Sequence, residues 1–215
     1  MALFNKAQDP ISSETHFWGA IGSAVALIGM VIKGVYTQDA IIEIISAVIF
    51  GICAILLYTA SCIYHYCKDT SVIKNGLRKF DHSMIYVLIA GTYTPMSFKL
   101  LPLNEALVFL GVIWGVALAG IIMKMFWINA PRTLYTLIYL ALGWAIVFKF
   151  PMLLEMPVVP FMLLAAGGIF YSIGAIFYIV KKPNISLAFG FHELFHIFIL
   201  LGSLAHFACV YIYVL

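Results

Sequence analysis

The 215-residue chain is 64% hydrophobic and only 10% charged, with a mean hydropathy of +1.07, against about 45–50% apolar and about 25% charged residues in soluble domains. That composition excludes a soluble globular enzyme and identifies an integral membrane protein. The formal net charge of +3 comes from cations scattered singly or in short clusters, which excludes a nucleic-acid-binding surface.

Residues 1–16 read as a cytosolic or interfacial leader. Lys6, Asp9 and Glu14 mix both charges there, and no basic segment leads into a short apolar core, so the first span is expected to be retained rather than cleaved. Ser12-Ser13-Glu14-Thr15-His16 is placed to cap the first helix. Apolar runs predict spans over 17–36, 41–66, 80–100, 105–126, 133–150, 158–180 and 187–214, leaving residues 17–215 as one membrane domain. Only helices or closed barrels satisfy backbone groups in lipid, and long continuous runs are not the short alternating strands of a barrel. The fold class expected is therefore an all-α integral membrane protein, a seven-transmembrane-helix bundle.

Pro102, Pro131, Pro151, Pro157 and Pro183 fall at or near the loops, whereas Pro95 and Pro160 lie inside spans and are predicted to kink them. Cys53, Cys62, Cys67 and Cys209 sit in or at the ends of apolar runs, with no sign of a secreted disulfide framework. Trp18, Tyr36, Tyr66, Trp127, Tyr211 and Tyr213, near span ends, read as interfacial anchors.

The cations set the orientation. Lys6, Lys68, Lys74, Arg78, Lys79, Lys124, Arg132, Lys181 and Lys182 fall in the N-terminal tail and the even-numbered loops, while the other loops hold Lys33, Lys99 and Lys149. Nine against three puts the N-terminus in the cytoplasm and, with seven spans, the C-terminus outside.

With that topology, three segments remote in sequence bring polar groups to the cytoplasmic end of the bundle. The second span finishes there with Ser61 and His65, the third begins there with Asp81 and His82, and the seventh begins there with His192 and His196. The last pair, four apart, stacks on one helix face. Imidazoles and carboxylates are expensive in lipid without partners and a task. Three neutral imidazoles, His65, His192 and His196, with one open position make a catalytic-type zinc site, where the metal makes hydroxide available near neutral pH. Asp81 would hold the water or act as general base, and Ser61 would orient the water or a carbonyl oxygen.

Competing readings use the same residues. His192-Glu193-Leu194-Phe195-His196 is an H-E-x-x-H string, the metalloprotease signature with Glu193 as base. Cys62, one turn before His65, would serve as a thiolate ligand or simply as a small apolar residue. His82 and His206 read as hydrogen-bonded packing histidines, His206 alternatively lining the outer part of a cavity. Gly91-Thr92-Tyr93-Thr94-Pro95 is either a kink that opens a cavity or close packing through small residues.

Taken together, Ser61-x-x-x-His65, Arg78-Lys79-Phe80-Asp81-His82 leading into Gly91-Thr92-Tyr93-Thr94-Pro95, and His192-Glu193-Leu194-Phe195-His196 with Gly202, Ser203 and His206 resemble the haemolysin III family. That family is the bacterial branch of the progestin and adipoQ receptor superfamily. Glu14-Thr15-His16 and Leu142-Gly143-Trp144 extend the resemblance over nearly the whole chain. It implies a seven-helix bundle with the N-terminus inside and a zinc ion near the cytoplasmic face. The resemblance carries the zinc histidines onto His65, His192 and His196, a water-mediated aspartate onto Asp81, and a serine beside the site onto Ser61. Adiponectin-receptor-like members are linked to hydrolysis of ceramide amides, and the superfamily includes alkaline ceramidases. The residue after the first histidine of the last motif varies in the family, with Gln also found, which argues against Glu193 as an essential base.

The short tails favour a multi-pass protein of the bacterial inner membrane. The function expected is zinc-dependent hydrolysis of a lipid amide or ester, with membrane lipids as partners. The alternatives are a lipid-homeostasis sensor or a lytic, channel-like protein with structural zinc, and an intramembrane metalloprotease.

Overall fold

The computed structural model describes residues 4–70, 72–186 and 188–215, and among these no strand occurs. The helices are α1 (Pro10–Thr37), α2 (Ile41–Tyr66), α3 (Lys74–Leu100), α4 (Leu103–Phe126), α5 (Arg132–Gly143), α6 (Phe150–Leu153), α7 (Val158–Val180) and α8 (Phe191–Cys209). A 3-10 segment (Ala145–Lys149) joins α5 to α6, and a π-helical turn (Val210–Val214) extends α8. The first three residues of the leader, and Leu187 at the expected start of the last span, lie outside the described residues.

Among the described residues, six segments are long and apolar enough to cross a bilayer: α1, α2, α4, Arg132–Leu153, α7 and Phe191–Val214. Much of their outward surface is apolar, with Val25, Ile32, Val108, Leu118, Met162 and Leu204 all exposed, as a lipid-facing surface requires and a soluble one avoids. The expected third span lies in a continuous helix of 27 residues but is not among the six, because Asp81, His82 and Lys99 together with its Ser, Thr, Tyr and Gly residues dilute its hydropathy.

The helices depart from the expected spans at several places, among them the start of α3 at Lys74 rather than 80 and of α8 at Phe191 rather than 187. α1 starts at Pro10, ahead of residue 17, because proline at the first helical position has its φ preset and no N–H to lose. Ser12 to His16 therefore lie inside the helix rather than capping it. Pro160 falls in the first turn of α7, where the first N–H groups have no intrahelical partner, so it breaks no bond there. The expected fifth span is split at Gly143.

α3 explains that split. It runs unbroken through Pro95, and the Gly91–Pro95 stretch is a packing surface: a Cβ on Gly91 would lie 2.7 Å from Cys53 of α2. Opposite, the Tyr93 hydroxyl donates to the Gly143 and Leu142 carbonyls at 2.6 and 2.9 Å and accepts from the Ile146 N–H at 3.1 Å. One side chain thus satisfies backbone groups that the end of α5 leaves open.

Helices adjacent in sequence pack side by side from α1 to α4, α7 packs on α8, α8 closes back onto α1, and α5 lies against α3 and α7. This makes a ring of α1, α2, α3, α5, α7 and α8, with α4 packed outside α3. The space inside the ring is lined by those six helices and by no residue of α4.

Replacing Tyr93 by Phe strands Ile146 N–H and the α5 carbonyls in a dry interior, at a cost of about 1–3 kcal/mol. Tyr93→Phe is expected to lower the thermal midpoint of the detergent-purified protein measurably. An unchanged midpoint would mean that the break in α5 is held by other contacts.

Candidate metal centre

The last turn of α2 and the first turns of α8 meet inside the ring. His65, His192 and His196 each offer a ring nitrogen there, and these atoms all lie within 4.8 Å of one another. His65 Nε2 and His192 Nε2 are 3.3 Å apart, and the His196 ring centroid lies 4.9 Å from that of His65 and 4.7 Å from that of His192. His65 and His196 are buried and His192 is half-buried. Helical spacing accounts for the pair on α8, since residues four apart share a face.

The donor set fits a metal ion. Asp9 Oδ2 lies 2.9 Å from His65 Nδ1, so the Nδ1–H donates to the carboxylate and leaves the Nε2 lone pair facing His192. The hydrogen bond to His65 holds the Asp9 carboxyl below the ordinary carboxylate range, overcoming the opposing effect of partial burial. His196 Nδ1 is sealed from solvent with no hydrogen-bond partner among the described residues. Three converging imidazoles and an orphaned nitrogen are what a shared cation would satisfy.

Ser61 and Asp81 stand beside this cluster but outside it. Both are buried; Ser61 hydrogen-bonds the Asp81 carboxylate, whose Oδ2 is 3.2 Å from His82 Nδ1. Asp81 does not belong to the group of ligand atoms within 4.8 Å of one another. Cys62 is also outside that group, its Sγ 3.6 Å from Ser13 Oγ. His82 packs against Tyr135, and its backbone carbonyl accepts from the Tyr139 hydroxyl at 2.9 Å. His206 Nε2 lies 3.2 Å from the Leu164 carbonyl, and the ring also lines the inner cavity.

Glu193 has a structural occupation. Its Oε2 accepts from the Gly190 N–H at 2.8 Å and its Oε1 accepts from Ser12 Oγ at 2.9 Å. It caps the start of α8 and ties α8 to α1.

Two neighbours of the cluster are absent from the sequence-derived site. One is Asp9, whose charge reads as part of a polar leader. The other is His16, buried and stacked on His196 with ring centroids 3.7 Å apart; neither of its nitrogens has a hydrogen-bond partner among the described residues. A signal for both exists. Asp9, Ser12, Ser13 and His16 follow the i, i+3, i+4, i+7 spacing of one helix face, so extending α1 back to Pro10 places a polar stripe against the histidines.

Two hollows meet at the cluster. An apolar cavity of about 260 Å³ runs into the ring past Leu57, Leu88, Met96, Phe161, Leu164 and Ile199. Trp144, Val147 and Phe150 also line it and are at the same time exposed on the flank of the bundle, at the break after α5. A polar hollow of about 700 Å³, lined by Asn75, Arg78, Asn129 and Arg132 among others, opens on the other side. His65, Asp81 and His192 line both.

Comparison with known proteins agrees with the motifs. The profile of the family described as "Haemolysin-III related" matches residues 4–207. The chain is 39% identical to "Hemolysin-3 homolog" of Bacillus subtilis (strain 168) over 214 residues, covering 98% of this chain and 96% of the relative. It is 40% identical to "Hemolysin-3" of Bacillus cereus over 204 residues, covering 94% of this chain and 89% of the relative. With six apolar helices, it is a multi-pass membrane protein, consistent with the bacterial plasma membrane. Matched over nearly its full length by profile and relatives alike, the chain belongs to the haemolysin III family.

Proposed function

We propose that this chain is a zinc-dependent hydrolase of a lipid amide or ester. The observation that carries the reading is the position of the histidine cluster, where an apolar cavity meets a polar hollow, with the buried Asp81–Ser61 pair beside it. Two nitrogens on one tetrahedral zinc at about 2.0–2.1 Å sit about 3.3 Å apart, which agrees with the 3.3 Å between His65 Nε2 and His192 Nε2. His65, His192 and His196 would hold the ion. When bound, zinc polarises a carbonyl oxygen and makes water a competent nucleophile near neutral pH.

The chain's own groups supply the rest. The apolar cavity takes an acyl chain and directs its carbonyl towards the histidines. Asp81 holds a water and accepts its proton, and Ser61 donates to the Asp81 carboxylate and keeps it aimed. The polar hollow receives the headgroup and admits water. Asp81 standing outside the tight ligand group supports this role over that of a fourth ligand that would close the site.

The same reading includes the topology. α3 is connected by short loops to two apolar helices and is packed between them, so it completes seven crossings. The nine-to-three distribution of cations then puts the N-terminus and the metal centre on the cytoplasmic side and the C-terminus outside.

Metal analysis of the detergent-purified protein is expected to find one zinc per chain, lost in His65→Ala, His192→Ala and His196→Ala. Asp81→Ala is expected to keep most of the metal while lowering lipid-amide or ester hydrolysis by about 10²–10⁴-fold. Equal zinc loss in Asp81→Ala would make Asp81 a ligand and zinc structural, as in a non-catalytic lipid sensor or a lytic protein. A zinc-free wild type would end the hydrolase reading.

Glu193→Gln separates this reading from a metalloprotease. Its cap and its bond to Ser12 predict near-normal turnover with a stability loss of about 1 kcal/mol. Abolished turnover at normal zinc content would restore Glu193 as a base.

A further inference from the structure

The leader contributes to the metal centre more than a membrane anchor would need. Gln8 N–H and Asp9 N–H donate to the Tyr66 and His65 carbonyls at 3.2 and 3.0 Å, which pins the segment before α1 onto the end of α2. Asp9 precedes the first helical residue, where an aspartate side chain ordinarily turns back to cap the helix N–H groups. It makes no such bond. Its Oδ2 reaches across to His65 Nδ1 at 2.9 Å instead. Phe4 and Ala7 are buried behind it, and Lys68 Nζ donates to the Ala7 carbonyl at 3.1 Å.

We infer that Asp9 is a positioning residue for the metal centre, holding His65 in the Nδ1–H tautomer so that Nε2 is presented as the ligand atom. The inference rests on reading the three imidazoles as a zinc site and adds to it a residue of the leader. A carboxylate on the far nitrogen fixes the ring's orientation and raises the basicity of the near one. His65 needs this more than its neighbours do. His192 and His196 stand one turn apart on one rigid helix, whereas His65 comes from the penultimate position of α2, where helices fray. The Asp9 bond and the two backbone bonds beside it hold that frayed end.

A competing account is that Asp9 merely docks the leader. Ser12 distinguishes the two: its hydroxyl bond to Glu193 fastens the same helix start to α8, and Ser12→Ala removes that bond while keeping the Ser12 backbone that lies against His196. Zinc affinity is to be measured by chelator competition on the full-length detergent-purified chain, with zinc alone as probe. Loss of an outer carboxylate of this kind weakens metal binding by about 10–100-fold. Asp9→Asn, which keeps an acceptor but loses the charge, is expected near the lower end of that range and Asp9→Ala near the upper end. Asp9→Glu is expected to recover most of the affinity, and Ser12→Ala to stay close to wild type.

Wild-type affinity in both Asp9→Asn and Asp9→Ala would overturn the inference and leave the zinc site standing. An equal loss in Ser12→Ala would overturn it in favour of docking. A wild type that binds no zinc would remove the site and this role of Asp9 together.

Discussion

Ionisable groups inside a helix bundle in lipid must satisfy one another, because no water is at hand to do so. At the end of the bundle where α2 finishes and α8 begins, this constraint organises the packing. Asp9 of the leader bonds His65 of α2; Ser13 of α1 donates to the Cys62 carbonyl of α2 at 3.0 Å; Ser12 of α1 bonds Glu193 of α8. Each of these three bonds joins segments remote in sequence. The contacts that neutralise the cost of burial also lock α1, α2 and α8 together, and they do so around three imidazoles whose free nitrogens face one another.

The same constraint explains α3. Its charges and hydroxyls make it the least apolar of the long helices, and several of them have neighbours: Asp81 beside Ser61 and His82, Thr92 and Thr94 back-bonded to the Leu88 and Ala90 carbonyls, and Lys99 paired with Glu43 at 2.9 Å. α4, with few such groups, takes the outer position and faces lipid.

Much of this was legible in the residues. The bounds of α2 and α7 follow from uninterrupted apolar runs, and the histidine cluster follows from cation asymmetry combined with helical spacing. What was not legible depends on contacts between remote segments. Nothing local marks Gly143 as the end of α5, because the group that takes up its carbonyl is Tyr93, fifty residues earlier. Pro95 marks no boundary either: α3 continues through it, with Gly91 seated against Cys53 and with Thr92 and Thr94 bonded back to the Leu88 and Ala90 carbonyls. Asp9 and His16 were hidden by a boundary: with the first helix begun at residue 17, the polar face they share with Ser12 and Ser13 has no helix to sit on. Glu193 likewise carries contacts that the five-residue string does not reveal, since its two oxygens take part in a cap and a helix contact.

The break in α5 and the inner cavity are one feature. Irregular backbone at membrane depth is tolerated where protein satisfies it or where it lines a cavity, and here both conditions hold. Tyr93 takes up the open carbonyls from one side, and the turn after Gly143 swings Trp144, Val147 and Phe150 outward, so that they line the cavity while remaining exposed on the flank. The apolar cavity and the polar hollow thus border the histidine cluster together, with the break after α5 on the wall of the apolar one. Both hollows are lined by His65, Asp81 and His192, so the same three side chains border an apolar space on one side and a polar one on the other.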